Sequence, residues 1–155
     1  MKIGIIVHSN TGNTYSVAEK LKEKLSAAGH SVTLQRVTAF NDQQQDVNKI
    51  QLKDIPDIST YDALIFGAPV RGFSLSAVMK AYLANAKYLK NKKTACFVTE
   101  GFPFPWMGGN RAVSQMKDAC NSKGCEVCGT GVINWSNKKR NNMIAETVDK
   151  FCCLF

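Results

Sequence analysis

The sequence has no long apolar run and is short of acidic residues. Its first apolar stretch, Ile3 to Val7, follows Lys2 and holds five residues, too few for the core of a signal peptide or for a membrane span. We therefore expect a cytoplasmic protein without a membrane partner. Twelve Asp and Glu stand against twenty Lys and Arg, a formal charge of +8, and such a field attracts anionic partners.

The chain also lacks the patterns of several common sites. His8 and His30 are its only histidines, and neither is paired with a nucleophile, so we expect no hydrolase triad and interpret His8 as a partly buried, hydrogen-bonded side chain. Cys125 and Cys128 form a CxxC, but residues three apart in a strand point to opposite faces, so neither a metal site nor, in a reducing compartment, a disulfide is expected. Lysines are scattered without a nucleic-acid reader motif, so no nucleic-acid partner is expected.

What is present is an alternation of strand and helix patterns. The 155 residues suit one domain, residues 1–155, with a core of sufficient size. Five apolar runs rich in β-branched residues begin at Lys2, Ser31, Tyr61, Thr94 and Cys125. Strands that are apolar nearly throughout are typical of a parallel sheet covered on both faces. The pattern predicts an α/β fold, a three-layer α/β/α sandwich with a five-stranded parallel sheet.

Four segments carry apolar residues at helical spacing, and each set predicts one core-facing helix. The sets are Val17, Leu21, Leu25 and Ala28; Leu75, Val78, Met79, Tyr82, Leu83 and Ala86; Ala112, Val113, Met116, Ala119 and Cys120; and Ile144, Val148, Phe151 and Phe155. The segment 38–59 is polar and glutamine-rich, and only a short helix over Asp46 to Leu52 is expected there.

The loop HSNTGNT, His8 to Thr14, joins the first strand to the first helix. A helix amino terminus offers unpaired N–H groups and a partial positive charge, so a donor-rich loop entering it predicts a phosphate site. The loop lacks the lysine of a GxxxxGK[ST] motif and has one glycine, which excludes GxGxxG. A terminal monophosphate held by neutral donors fits best. The donors and the glycine are Ser9, Asn10, Thr11, Gly12, Asn13 and Thr14.

A second unusual loop, TEGFPFPWMGGN from Thr99 to Asn110, follows the fourth predicted strand. It concentrates three aromatic residues, Phe102, Phe104 and Trp106, with prolines and glycines. So much apolar area in an exposed connection indicates that something flat covers it. The alternative is that these rings fill the domain edge or a dimer interface.

These loops resemble those of a known family. Ser9 to Thr14 resembles the [ST]-x-T-G-N-T loop of flavodoxins, which grips the phosphate of FMN. The segment GAPVRGFSLSAVMKAYL, Gly67 to Leu83, is similar to the strand-three exit of flavodoxin-like quinone and FMN reductases, although Ala68 stands where Ser or Thr is common. The resemblance implies a short-chain flavodoxin-like fold, strand order 2-1-3-4-5, with noncovalent FMN at the carboxyl edge of the sheet.

The resemblance further implies FMN contacts from three loops and assigns no catalytic residue. Phe73 and the aromatic residues from Phe102 to Trp106 are the candidates for stacking on the flavin ring. Arg71 has three open interpretations: a cation beside the flavin, a clamp for an anionic substrate or nucleotide phosphate, or a solvated surface side chain. The expected cofactor-binding residues are Ser9, Asn10, Thr11, Gly12, Asn13, Thr14, Ala68, Pro69, Val70, Arg71, Gly72, Phe73, Thr99, Glu100, Gly101, Phe102, Trp106 and Gly108.

The function implied is electron transfer between redox partners through FMN. Two alternatives remain open, an NAD(P)H-dependent quinone or FMN reductase and a basic interaction protein without flavin. Small size and short loops favour the carrier, whereas the GAPVR segment and the positive field favour the enzyme. Because flavodoxins are strongly acidic, the basic charge of this chain points to different partners: an acidic redox protein, or a small anionic or quinone acceptor.

Overall fold

A computed structural model describes all 155 residues and contains one mainly parallel β-sheet. The long strands are β1 Lys2–Val7, β2 Ser31–Arg36, β3 Ala63–Arg71, β5 Lys93–Glu100 and β6 Glu126–Asn134, and a two-residue strand, β4 Ser74–Leu75, pairs antiparallel with β3. The order is β2-β1-β3-β5-β6. Counted without β4, this is the predicted five-stranded parallel sheet in the predicted order.

Four α-helices cover the sheet. They are α1 Asn13–Ala27, α2 Ala77–Asn85, α3 Gly109–Ser122 and α4 Arg140–Cys152, and two 3-10 turns occupy Val47–Lys49 and Pro105–Met107. Helices α1 and α4 pack with one face of the sheet, whereas α2 and α3 pack with the other. None of the helices has the length and apolar character needed to cross a membrane.

Two buried clusters lie between these layers, one on each face of the sheet. Successive residues of β1 and β3 alternate between them: Ile5 packs with α1 and α4, and Ile6 packs with α2 and α3. Because both faces are covered, the strands need apolar side chains at every position, and each fully buried large one stabilises the fold by about 1.5–3 kcal/mol. The predicted helical stripes supply the opposing side of each cluster.

Strand β3 extends beyond its predicted end. The expected run, Tyr61 to Ala68, stops short of the observed strand Ala63–Arg71. Pairing with β5 continues to Pro69, opposite Thr99, and Arg71 then pairs with Ser74 across a hairpin. Pro69, Val70 and Arg71 therefore belong to a strand rather than to a loop.

Helix α2 begins later than the apolar spacing predicts. Leu75 lies in β4, and Ser76 caps the helix because its Oγ accepts the Met79 N–H at 3.3 Å. Two other expectations are wrong in detail. Ala28 is exposed and lies one residue past the end of α1, and the short helix expected over Asp46 to Leu52 is reduced to a single 3-10 turn.

The carboxyl ends of β1, β3, β5 and β6 lie along one edge of the sheet. From β1 the chain continues to β2 on one side, whereas β3 lies on the other, so the strand order reverses between β1 and β3. Open α/β sheets bind ligands at such a reversal. Each of the three loops predicted to bind FMN leaves this edge.

Candidate functional site

The loop between β1 and α1 presents a row of free backbone donors. Gly12 caps α1 with φ 90°, a left-handed conformation that glycine adopts without a steric penalty. The carbonyl of Gly12 accepts the Ser16 N–H at 2.9 Å, yet the six N–H groups of residues 9–14 donate to no acceptor in the protein. Six consecutive free donors at the start of a 15-residue helix have the arrangement that an anion site needs.

The side chains of this loop have different roles. Asn10, Thr11 and Asn13 line a cavity at the carboxyl edge. Thr14 is 1% exposed, and its Oγ1 lies 2.8 Å from Thr99 Oγ1. The Thr14 hydroxyl, predicted to face the phosphate, thus hydrogen-bonds to Thr99 and joins α1 to β5 in this structure.

All three predicted loops contribute to that cavity, whose volume is about 220 Å³. Each of its lining residues was predicted from the sequence to bind the cofactor. They are Asn10, Thr11, Asn13, Pro69, Val70, Arg71, Thr99, Glu100 and Gly101. The contacts with a cofactor remain a prediction. Ala68 is fully buried in the cluster against α2 and α3, so its methyl group does not face this cavity.

A two-residue turn at Gly72 and Phe73 joins β3 to β4. Both residues are left-handed, with φ 57° and 61°, a conformation that is unusual for phenylalanine. A Cβ at Gly108 would lie 2.8 Å from Phe73 Cα. Glycine at position 108 therefore allows the aromatic loop to touch this turn.

Four exposed aromatic rings, Phe73, Phe102, Phe104 and Trp106, form what we call the aromatic rim. Phe73 and Phe102 are stacked, with centroids 5.2 Å apart and planes at 3°. Phe104 and Trp106 form a second parallel pair at 6.1 Å. The four side chains are between 43% and 74% exposed. This exposure contradicts the alternative in which they fill the edge of the domain itself.

Arg71 is fixed by an aspartate that the sequence analysis missed. Its Nη1 donates to the Asp42 carbonyl at 2.6 Å and its Nη2 to Asp42 Oδ2 at 2.9 Å. With a side chain only 19% exposed, Arg71 is not the solvated surface arginine of the third interpretation. Its place in the cavity wall leaves the other two open.

Asp42 also contacts His8, at the end of β1. His8 Nε2 lies 2.6 Å from Asp42 Oδ1, and Nδ1 lies 2.9 Å from Ser76 Oγ. Burial lowers the pKa of His8, against the opposing hydrogen bond and charge of Asp42. A neutral ring whose Nδ1 accepts a hydrogen bond from the Ser76 hydroxyl and whose Nε2–H donates one to Asp42 Oδ1 satisfies both ring nitrogens. The expectation of a hydrogen-bonded histidine is confirmed, and the side chain, expected to be partly buried, is fully buried.

Ser76, His8 and Asp42 follow the contact order of a catalytic triad, but their surroundings exclude that role. Ser76 is 0% exposed and caps α2. A nucleophile has to reach its substrate, and Ser76 Oγ is enclosed by the protein. The three residues form a structural link between β1, α2 and the segment that carries Asp42.

Glu100 ends β5 on the other side of β3 and is 3% exposed. Its Oε1 accepts a hydrogen bond from Asn134 Nδ2, which also donates to the Phe102 carbonyl at 3.0 Å. Glu100 Oε2 and Asn134 Oδ1 are buried and have no partner. Burial raises the pKa of Glu100, against the opposing effects of the Asn134 amide and the Gly109 N–H. Asn134 was not predicted, since its place at the end of β6 becomes informative only beside Glu100.

Comparison with known proteins yields three kinds of relative. Residues 1–140 match the model of a family described as NADPH-dependent FMN reductase. The chain is 25% identical over 137 residues to a flavodoxin of Megasphaera elsdenii, covering 85% of each chain. It is 25% identical over 129 residues to an NAD(P)H dehydrogenase (quinone) of Archaeoglobus fulgidus, covering 72% of this chain and 66% of the relative. The crystal structure of oxidised flavodoxin 2 from Bacillus cereus shares the fold, with a TM-score of 0.71 at 23% identity over 100% of both chains.

Proposed function

The chain belongs to the NADPH-dependent FMN reductase family, and on that premise we propose that it is an electron carrier. It is a flavodoxin-like redox protein with FMN as its cofactor. In the proposed role, it accepts electrons from one redox protein and passes them to another. The third hypothesis, a basic interaction protein without flavin, does not agree with the family.

The six free N–H groups of residues 9–14 are the observation that carries this proposal. A phosphate dianion offers enough acceptor oxygens for several of them at once, and the dipole of α1 favours its charge. The loop contains no cation, so uncharged donors do the binding. Asn10, Thr11 and Asn13 add side-chain donors from the cavity wall. The residues present therefore fit the phosphate end of FMN.

The aromatic rim supplies the apolar surface for the flavin ring. Bound FMN carries the electron-transfer chemistry, and the protein contributes position and electrostatics. The ring centroids of Phe73 and Phe102 are 5.2 Å apart and the rings are stacked, so a flavin that binds between the two rings has to separate them. Stacking on either ring adds about 0.5–1.5 kcal/mol beyond the burial of area.

Two observations favour the carrier over the reductase. The rim is exposed on a single chain, which leaves it open to a partner protein. Similarity to the flavodoxin covers 85% of that protein, against 66% of the quinone dehydrogenase.

An NAD(P)H-dependent quinone or FMN reductase is the second candidate. The description of the family and the formal charge of +8 favour it, because a positive field attracts a nucleotide phosphate. In this second candidate, Arg71, which lies in the cavity wall beside the phosphate loop, would bind such a phosphate.

Anaerobic reduction separates these two functions. FMN-loaded protein is mixed with NADPH or NADH, and flavin absorbance is followed with and without a second flavoprotein reductase. We expect bleaching only when the second enzyme is present, and dithionite serves as the control for a reducible flavin. Rapid bleaching by the nucleotide alone would establish the reductase instead.

Binding of FMN and of riboflavin tests the phosphate loop. Thr11→Val removes a hydroxyl from the cavity wall, and we expect about a 10- to 100-fold loss of FMN affinity, the equivalent of one hydrogen bond to a charged group. Riboflavin, which has no phosphate, should bind the variant and the wild type alike. Thr14→Val is the matched control, because its buried hydroxyl bonds Thr99 and its removal should lower stability. Equal losses of both ligands in Thr11→Val would contradict the assignment.

The partner we propose for the carrier is a redox protein with an acidic docking face. The formal charge of +8 would speed the encounter with such a protein and repel a basic one. Because exposed charges are screened by salt, electron transfer to an acidic partner should slow as ionic strength rises. A rate that does not change with salt would exclude this electrostatic docking.

A further inference from the structure

Two buried oxygen atoms at the carboxyl edge need hydrogen-bond donors that the protein does not supply. They are Glu100 Oε2 and Asn134 Oδ1, in side chains that are 3% and 0% exposed and already share one hydrogen bond. The Asn134 amide has a fixed orientation, because its Nδ2 donates to the Phe102 carbonyl. Turning the amide over would place two carbonyl oxygens together.

No cation faces the Glu100 carboxyl from the neighbouring elements. Arg71 of β3 forms an ion pair with Asp42. Arg111 of α3 is exposed, and its charge adds to burial in lowering the pKa of Lys80. The groups that face the carboxyl are the backbone N–H of Gly109 in α3 and the side-chain amide of Asn134 in β6. The loop that follows β5, residues 101–108, carries no titratable side chain. An ionised carboxylate here would be buried with only the Gly109 N–H at the amino terminus of α3 and the Asn134 amide in place of a counter-charge, and burial of a charge without an opposite charge is unfavourable.

One proton resolves both deficits. A protonated carboxyl group has an O–H donor on one oxygen and an acceptor on the other, whereas a primary amide has the complementary pair. We propose that Glu100 is protonated at neutral pH and pairs with Asn134 through two hydrogen bonds, Nδ2–H to Oε1 and Oε2–H to Oδ1. The pair then holds the Phe102 carbonyl on the aromatic side of the flavin site, between the carbonyls of Gly101 and Pro103 that Ser136 and Asn137 hold.

Glu100 is thus a positioning residue that acts through Asn134 on Phe102. When the proton leaves, Oε2 and Oδ1 become two acceptors that repel each other, and the restraint on the Phe102 backbone weakens. Burial, which raises the pKa of Glu100, acts in the direction that this arrangement needs. The consequence for FMN, which rests on the proposed function, is an affinity that declines as pH rises through the pKa of Glu100.

Infrared spectroscopy tests for the proton without any flavin. At neutral pH, the spectrum of flavin-free wild type minus that of Glu100→Gln should contain the C=O stretch of a protonated carboxyl, shifted in D₂O. Glu126→Gln, at the exposed start of β6, is the matched control and should lack this band. Should Glu100→Gln fail to fold, the band and its loss at alkaline pH are measured in the wild type alone. Absence of the band at neutral pH overturns the proposal.

The pH profile of FMN binding tests the coupling. Wild-type affinity should fall about 2- to 10-fold from neutral to alkaline pH, the range for one net hydrogen bond. Gln at position 100 offers an N–H donor and does not ionise, so the Glu100→Gln profile should be flat across this range, whatever its affinity at neutral pH. Glu126→Gln should keep the wild-type profile. A Glu100→Gln profile that follows the wild type would overturn the coupling, whereas absence of FMN binding at every pH would instead refute the proposed function.

Discussion

Two buried ionisable side chains lie on either side of β3 at the carboxyl edge, and the protein satisfies them differently. His8 follows β1 and has a partner on each ring nitrogen, Ser76 and Asp42. Glu100 ends β5, and its pairing with Asn134 leaves one acceptor on each residue without a partner. Both ring nitrogens of His8 have hydrogen-bond partners when the ring is neutral. Both carboxyl oxygens of Glu100 have partners only when the carboxyl is protonated, as we propose.

The two groups also act on different parts of the site. His8 links β1 to α2 and to the segment that carries Asp42, and Asp42 in turn fixes Arg71. The wall formed by the end of β3 is therefore anchored by three polar contacts. The aromatic loop is held by three hydrogen bonds to its carbonyls, from Asn134 to Phe102, from Ser136 to Gly101 and from Asn137 to Pro103. Because His8 is buried and joins β1 to two other segments, we expect substitutions beside His8 to lower stability most, and substitutions beside Glu100 to affect flavin binding as well.

His8→Ala should have the largest effect on stability. It removes a fully buried ring and leaves the Ser76 hydroxyl and Asp42 Oδ1 without a shared partner, so we expect a loss of about 3 kcal/mol in the free energy of unfolding. Urea unfolding measures it. His30→Ala is the matched control, because His30 is partly exposed and makes one long contact, 3.4 Å, with the amino terminus. Similar losses in the two variants would show that the His8 network adds no stability.

Gly109→Ala tests the Glu100 side and should have the second largest effect. A Cβ at this position would lie 2.6 Å from both Glu100 Oε1 and Val132 Cγ1, so the carboxyl has to move. We expect a loss of about 1–3 kcal/mol in the free energy of unfolding, together with weaker FMN binding. In the control, Ser114→Ala, the change lies on the exposed face of the same helix, α3. If Gly109→Ala binds FMN as tightly as the control, the flavin site does not depend on the position of Glu100.

The sequence was sufficient for the features that depend on contiguous residues. The five long strands follow from β-branched runs, and the phosphate loop follows from six successive residues whose backbone lies at the start of a helix. Composition alone also indicated the aromatic loop. In each case the physical cause, a local propensity or a row of neighbouring donors, lies within one short segment.

The missed residues act through partners that are distant in the chain. Asp42 contacts His8 across 34 positions, and Asn134 contacts Glu100 across 34. Neither has a distinctive neighbourhood in sequence, since Asp42 lies in a polar segment and Asn134 ends a strand. The hairpin after β3 was missed for a different reason. Its turn places Phe73 at φ 61°, a conformation that phenylalanine rarely adopts. Gly108, in another loop, has no side chain and so leaves room for this turn.

Asp42→Asn should have a smaller effect than either large change. It removes the charge that pairs with Arg71 but keeps the volume, and the Asp42 side chain is 33% exposed, so solvent screens part of the loss. We expect about 1 kcal/mol less stability in urea unfolding, and a loss that shrinks at high salt. Asp118→Asn, an exposed change in α3, is the control. If the two variants lose equal stability, the Arg71 ion pair adds nothing measurable.

The last comparison concerns the sign of two pH dependences rather than the size of one effect. The pKa of His8 is lowered from 6.5, so its contribution to stability is present above pH 6.5 and is lost as pH falls through the folded-state value. The pKa of Glu100 is raised from 4.5, so its contribution is full below pH 4.5 and is lost as pH rises through the folded-state value. Each group changes the free energy of unfolding by at most about 1.4 kcal/mol per pH unit.

Unfolding midpoints between pH 4.5 and pH 7.5 separate these two slopes. Relative to the wild type, His8→Gln should lose less stability on acidification, because an amide does not take up the proton. Glu100→Gln should show the opposite difference, gaining on the wild type as pH rises, because an amide cannot become a buried anion. If both variants differ from the wild type with the same sign of slope, the two groups are not held as a neutral base and a neutral acid.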